Sequence, residues 1–277
     1  MTSEAVPLLS VVLELEPLAA APVPAQGGRS VHGLLLALLH QHDPEEADVA
    51  HAEARVRPFT TSPLLDPRGR WVPTGHVAPG SRYLVRLTGY GVGVEWVRAA
   101  LAALPEEVRL EEATFRVAAI HLPGGQHPLA QETTHLALVE AHLLGRQPPG
   151  RHLRLHFLTP TTFRSGGKNV PLPLPGLVVE GLLTRWNAVM PTPLPGEVRR
   201  YAEETVAVAA YRLHTVSLPW GNGRQVGFMG ACRWVALNPD PYWLRQLHLL
   251  STFAFYAGVG AKTAQGLGQV QGATGSV

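Results

Sequence analysis

The order in which the apolar pattern changes along the 277 residues constrains the fold more than any single motif. Leu8–Leu15 (LLSVVLEL) reads as an opening strand. Val31, Leu34, Leu35, Leu38 and Leu39 then recur at i, i+3, i+4, i+7 and i+8, the spacing that lays one apolar stripe along a helix, with Ser30 placed to cap it. Asp43-Pro44 ends that helix and starts a second short one, Glu45–His51. Arg57–Pro63 reads as extended chain, Tyr83–Leu87 as a strand, Trp96–Leu104 as a helix and Thr114–Ile120 as a strand. That succession, β-α-β-β-α-β, is the ferredoxin-like unit. Its sheet resembles the four-stranded platform of RNA-recognition modules, although the aromatic signature of those modules is missing here.

The stretch Pro123–Pro149 is loop-rich, with a helical segment near Leu136–Leu144, and reads as a junction. Beyond it the alternation resumes. His152–Leu158 is a strand, Thr161–Val170 a polar turn or hairpin, Leu177–Trp186 a helix. Thr205–Val216 and Val226–Leu237 are strands, Tyr242–Tyr256 is a helix, and Gln269-Val270 opens a last strand. The expectation is therefore an α+β protein of two tandem ferredoxin-like (RRM-like) domains, residues 1–135 and 136–277.

Charge divides the chain in nearly the same place. Residues 1–138 hold ten arginines against fifteen acidic residues; residues 139–277 hold eleven arginines and two lysines against six. A basic half of this kind suits a polyanion such as nucleic acid. The two lysines, Lys168 and Lys262, both lie in glycine-bearing loops, SGGKN and GVGAKT. The single cysteine, Cys232, excludes an intrachain disulfide and fits a reducing, cytoplasmic setting. The first residues carry no basic flank ahead of their apolar stretch, so they do not read as a signal peptide. No run reaches the roughly 18 apolar residues of a membrane span.

The second lysine loop, Gly258–Gly268 (GVGAKTAQGLG), follows a helix and leads to a strand. Its glycines permit positive φ and close approach of a ligand to the backbone, and successive exposed N–H groups make an anion-binding concavity. A Walker A loop needs Gly immediately before Lys, where Ala261 stands; a G-x-G-x-x-G fingerprint needs Gly where Thr263 stands. Gly89-Tyr-Gly-Val-Gly93 fails the same fingerprint at Val94 and reads as a flexible strand–helix turn. No H-E-x-x-H, C-x-x-C or paired-carboxylate motif points to a metal, His40 and His42 face different sides of their helix, and no cofactor is expected.

GVGAKTAQGLGQ resembles the C-terminal glycine-rich signature of the CRISPR-associated repeat-processing endoribonucleases of the RAMP superfamily. Further stretches agree in the same order. They are His51 with Arg57-Pro-Phe-Thr-Thr-Ser-Pro-Leu64, Pro160-Thr-Thr-Phe-Arg164 with Pro171–Pro175, Leu182-Leu-Thr-Arg-Trp-Asn187, and Gly227-Phe-Met-Gly230. That resemblance implies two ferredoxin-like domains and metal-independent cleavage of CRISPR repeat RNA to mature crRNA, leaving a 2′,3′-cyclic phosphate and a 5′-hydroxyl. A non-catalytic repeat-RNA-binding protein of the same superfamily is the alternative.

Such cleavage needs a base for the 2′-hydroxyl proton, an acid for the 5′-oxygen and a cation for the phosphorane; histidine suits the first two and arginine or lysine the third. By the resemblance, His51 falls on the family's catalytic histidine and Arg57 on its stabilising cation. A tyrosine often found on the first helix is replaced by Leu36, and His32 is the local substitute. For RNA contact the candidates are Arg164, Lys168, Arg185 and, in the loop, Gly258, Gly260, Lys262, Thr263, Gln265, Gly266 and Gly268. Trp186 and Phe163 are assigned to the core. Among partners the resemblance points to CRISPR repeat RNA, with a CRISPR effector complex and a second copy of the chain as further ones, and no membrane.

Overall fold

β1 (Pro7–Pro17) has six consecutive buried residues, Leu8–Leu13, where a half-buried strand would alternate. A run of that kind means that both faces of the sheet are covered. In the computed structural model, which describes residues 5–25, 27–51, 56–221 and 223–272, the two covers come from different halves of the chain. Leu9, Val11, Leu13 and Leu15 pack with Val31, Leu35, Leu38 and Leu39 of α1 (Gly28–His42) and with Val94 and Val97 of α3 (Val92–Ala102). Leu8 and Val12 point the other way, into a core shared with Trp186 and Phe253 from the C-terminal half.

The first half also contains β2 (Ala21–Pro22), α2 (Pro44–His51), β3 (Phe59–Thr61), β4 (His76–Val77), β5 (Tyr83–Tyr90), β6 (Glu107–Leu110), β7 (Ala113–His121) and β8 (Gln131–Thr134). Its sheet runs β3-β5-β1-β7-β6, every pairing antiparallel, with β8 beside the start of β1. β2 and β4 form a separate ribbon. After α4 (His135–His142) the second half contributes β9 (His152–Thr161), β10 (Phe163–Ser165), β11 (Lys168–Val170), α5 (Pro175–Val189) and α6 (Glu197–Thr205). It continues with β12 (Val206–Trp220), β13 (Gly223–Ala236), α7 (Pro241–Ala257) and β14 (Val270–Gly272). Its main sheet runs β12-β13-β9-β14. With the four principal strands of each half numbered in chain order, both sheets read 2-3-1-4, so each half is the ferredoxin-like unit expected from the alternation.

Local differences have local causes. α3 begins at Val92, four residues before the apolar periodicity, because Gly91 (φ 59°) turns the chain directly out of β5. α1 begins at Gly28; Gly27 occupies the capping position and Ser30 Oγ donates instead to Glu111 at 2.5 Å. β8 is short and polar and carries no apolar period, β6 is too short for its alternation of Val108 and Leu110 to stand out, and α6 shows its buried face only as Val198, Tyr201 and Ala202 among charged residues. The glycines of Gly89–Gly93 serve packing: a Cβ on Gly93 would lie 1.9 Å from the Pro58 carbonyl oxygen.

Candidate nucleic-acid interface

The glycine-rich loop is built mainly as a joint between the two halves. Gly258, Gly260, Gly266 and Gly268 all have positive φ, and so does Lys262 (φ 63°). A Cβ on Gly268 would sit 1.9 Å from the Val259 carbonyl oxygen, and one on Gly260 would sit 2.3 Å from that of Thr162. A Cβ on Gly28, at the start of α1, would meet Gly266 Cα at 2.2 Å, so two backbones cross there in direct contact. Thr61 Oγ1 donates to the Ala264 carbonyl at 2.9 Å, and Ala264 joins the N-terminal core. The N–H groups of Gly258, Val259, Ala261, Gln265, Leu267 and Gly268 all donate to backbone carbonyls. Much of the backbone concavity expected from the glycine spacing is therefore used in folding, and the loop's positive charge lies in the Lys262 side chain. Thr263 is buried and Gln265 half-buried.

Beside the joint runs a buried polar seam. Arg86 on β5 is fully buried and donates to Ser10 Oγ (2.8 Å), Gln269 Oε1 (3.1 Å) and the carbonyls of Phe255 (2.6 Å) and Val270 (3.2 Å). Its guanidinium lies 3.9 Å from the Phe255 ring centroid. Burial pulls its pKa down to about 9, with the Tyr256 phenol opposing. Gln269 reaches back to Thr60 Oγ1 (2.7 Å) and the Thr61 carbonyl (3.0 Å), so one amide closes the circuit between β14 and β3.

Arg185, from α5, donates to the Gly260 carbonyl at 2.5 Å and to the Gly181 carbonyl at 3.1 Å. Its place is against the loop from within; burial lowers its pKa and the neighbouring Tyr90 opposes this. Arg164 and Lys168 lie exposed on the β10–β11 hairpin, where Arg164 Nη1 is 3.4 Å from Asn169 Oδ1. Phe163 and Trp186 are core residues, as read from the sequence.

Two residues that the sequence reading passed over complete the patch. Arg29, in the first turn of α1, and Lys262 both approach Trp220, at the end of β12: the Lys262 ammonium is 3.9 Å and the Arg29 guanidinium 5.6 Å from the indole centroid. Desolvation first, then the charges of Arg164 and Arg29, lowers the Lys262 pKa. Among the described residues no carboxylate forms an ion pair with Arg29, Arg164, Lys168 or Lys262. Cations gathered from α1, β10 and the glycine loop without a counter-charge suit a polyanion. A sequence signal for Trp220 existed in the Pro219-Trp-Gly221 turn; Arg29 had none.

Of the cleavage candidates, His51 closes α2, and its side chain lies outside the described residues. Arg57 is half-buried, and its carbonyl accepts from Tyr90 Oη at 2.9 Å. Pro58 accepts from the Tyr90 N–H at 2.9 Å, and Phe59 is fully buried, so the Arg57–Phe59 segment is pinned at three points. The His32 imidazole stacks on Phe59 at 5.6 Å with an interplanar angle of 10°, which puts it beside that segment. Leu36 lies one turn further along α1 on the same face and is half-buried. Among the described residues there is no group of three metal-ligating side chains, and no helix is long and apolar enough to cross a membrane.

Tandem ferredoxin-like units with a cationic patch at their joint define a class of protein suited to a polyanionic ligand, and comparison with known proteins names the family. Residues 155–270 match the family model for CRISPR-associated endoribonuclease Cas6. The Cas6 endoribonuclease of Mycobacterium tuberculosis is 26% identical over 219 residues, 73% of this chain and 66% of that one, so the match spans just under two thirds of the relative's length. Among solved structures, a Cas6 product complex superposes with a TM-score of 0.79 at 31% identity, covering 96% of this chain and all of that one. Thermus thermophilus Cas6 gives a TM-score of 0.74 at 30% identity, covering 98% of this chain and all of that one. A RAMP protein described as binding different RNA substrates shares the fold at 16% identity, with a TM-score of 0.62. The chain belongs to the Cas6 family of CRISPR-associated endoribonucleases.

Proposed function

We propose that this protein cuts CRISPR repeat RNA by attack of a 2′-hydroxyl on the adjacent phosphate, without a metal ion. The observation that carries this reading is the direct contact between the two halves. Gly28 against Gly266, and Thr61 against Ala264, join the glycine loop to the start of α1 and to β3, the strand that continues the pinned Arg57–Phe59 segment. In this reading residues 136–277 supply most of the RNA grip and residues 1–135 supply the chemistry. His51 takes the 2′-hydroxyl proton, the 2′-oxygen bonds to phosphorus, and the bond from phosphorus to the 5′-oxygen breaks. A second proton donor, assigned to His32, protonates that oxygen, and Arg57 stabilises the phosphorane charge. The products are a 2′,3′-cyclic phosphate and a 5′-hydroxyl. Arg164, Lys168 and Lys262 hold phosphates directly. Gly258, Gly260, Thr263, Gln265, Gly266 and Gly268 shape the surface they lie on, and Arg185 positions the loop through Gly260. Support also comes from relatives: Cas6 structures were solved as product and substrate-mimic complexes and as a histidine-to-alanine variant.

The test is cleavage of a repeat RNA in EDTA. Wild-type protein should cut it. His51→Ala should bind it and cut roughly 10²–10⁴-fold more slowly, the usual contribution of a general acid or base. A 2′-deoxy nucleotide at the scissile position should block the reaction. Leu36, where a tyrosine is common, favours the second reading, a repeat-RNA binder that does not cut; wild-type binding with the RNA left intact would establish it.

A further inference from the structure

A cavity of about 230 Å³ opens beside the glycine-rich loop. Trp71 and Trp220 line it, with Pro63, Pro219, Gln265 and Arg224 among the other walls. It is smaller than the roughly 300–1,000 Å³ of pockets that enclose drug-sized ligands, a size that suits a single flat ring system. Both indoles are only half-buried, so the protein leaves aromatic surface uncovered here. Arg224 is held for presentation, donating to Ser217 Oγ and to the Ser217 carbonyl, both at 2.8 Å. Gln265 adds an amide that can donate and accept. Among the described residues no carboxylate lines the cavity. The same Trp220 ring lies under Lys262 and near Arg29, which couples the pocket to the cations of the patch.

We propose that this pocket receives one unpaired nucleobase of the bound RNA, stacked on Trp220, while Lys262, Arg29 and Arg164 hold the neighbouring phosphates. The assignment rests on the functional reading above. Every base has a π face, and stacking on an aromatic side chain adds to phosphate contacts that carry no base information. The pocket therefore makes Trp220 a base-binding residue of the repeat-binding site, one that selects an unpaired position and not a particular base. A second function for the indole, keeping Lys262 in place, is separable by experiment.

The experiment measures Kd for repeat RNAs in which one abasic nucleotide is walked along the sequence, with wild type, Trp220→Ala, Trp220→Phe and Trp71→Ala. An abasic nucleotide keeps its phosphate and loses only its base. Trp220→Ala should weaken binding of the intact repeat about tenfold to a hundredfold, and Trp220→Phe should recover most of the loss. One abasic position should weaken wild type by a similar factor and leave Trp220→Ala unchanged. Trp71→Ala should share that position. If Trp220→Ala only displaced Lys262, every abasic substrate would lose the same factor, and the pocket assignment would fall while RNA binding stood. Circular dichroism and melting of each variant separate folding from recognition. Wild type that prefers the intact repeat no more than an unrelated RNA of equal length would overturn the functional reading and this pocket together.

Discussion

The two lysines of this protein lie in loops of similar composition, 165–169 and 258–268, and the loops are built in opposite ways. In the first, Gly166 and Gly167 turn a short hairpin with φ of 55° and 75°, and a Cβ on either would meet nothing within 4 Å. In the second, φ is also positive, but Gly260 and Gly268 are pressed against carbonyl oxygens and Gly266 against another backbone. The first loop needs glycine for its dihedral angles alone; the second needs it because the backbones of two halves meet there. Lys168 is correspondingly exposed, while Lys262 is half-buried and lies against Trp220. A lysine whose position is defined by its surroundings loses less freedom on meeting a phosphate than one on an open hairpin.

The difference is best broken by substitution. Gly268→Ala places a Cβ 1.9 Å from a carbonyl oxygen at a φ of 69°, and it should cost roughly 3 kcal/mol or more in urea unfolding. A loss under about 1 kcal/mol would show that the joint can open without harm. Next in size, Arg86→Met removes four donations from the seam beside that joint. The acceptors left dry should lower stability by about 3 kcal/mol, read as a fall in the midpoint of denaturation. Lys262→Ala should weaken repeat-RNA binding about tenfold and reduce the salt slope of log K by about 1, with little change in melting. Lys168→Ala should weaken binding about threefold, less than Lys262→Ala, since a lysine on an open hairpin loses more freedom on meeting a phosphate; equal effects from the two lysines would erase the contrast.

Gly167→Ala has only its left-handed backbone to oppose it, and about 1–2 kcal/mol is the expected loss. The smallest effect lies at the contact of α4 with α7. His142 Nε2 is 2.9 Å from Thr252 Oγ1, and burial, then the nearby His248, lowers the imidazole pKa below 6.5. The unfolded chain therefore binds that proton more readily. Stability from this contact is complete above about pH 6.5 and declines as the pH falls toward the folded value. Melting of His142→Gln should depend less on pH between 7 and 5 than wild type does; an unchanged slope would assign the acid sensitivity elsewhere.

Much of the architecture was legible along the chain. Leu8–Leu15 and the Val31–Leu39 stripe appear as β1 and α1, and the alternation in each half became a 2-3-1-4 sheet. These features are local, because a strand or an amphipathic helix writes its period into neighbouring residues. The glycine-rich loop was visible as well, but its main use was not. Thr61 and Ala264 are 203 residues apart, Arg86 and Gln269 are 183 apart, and nothing periodic announces such contacts. Arg29 was missed for the same reason, since it is unremarkable until α1, the β12 hairpin and the loop come together, and the Pro219-Trp-Gly221 turn that marks Trp220 says nothing of the cations around it.

By itself, then, the sequence determined the two α+β units, the basic second half, and the motifs carried by His51, Arg57 and Gly258–Gly268. Only the tertiary structure decided that the loop is a joint, that Arg185 braces it from inside, and that three cations and an indole share one patch. The physical reason is that side-chain periodicity is set by each element's own geometry. A site built where two sheets and a loop meet is set by close backbone packing and by hydrogen bonds between residues nearly two hundred positions apart.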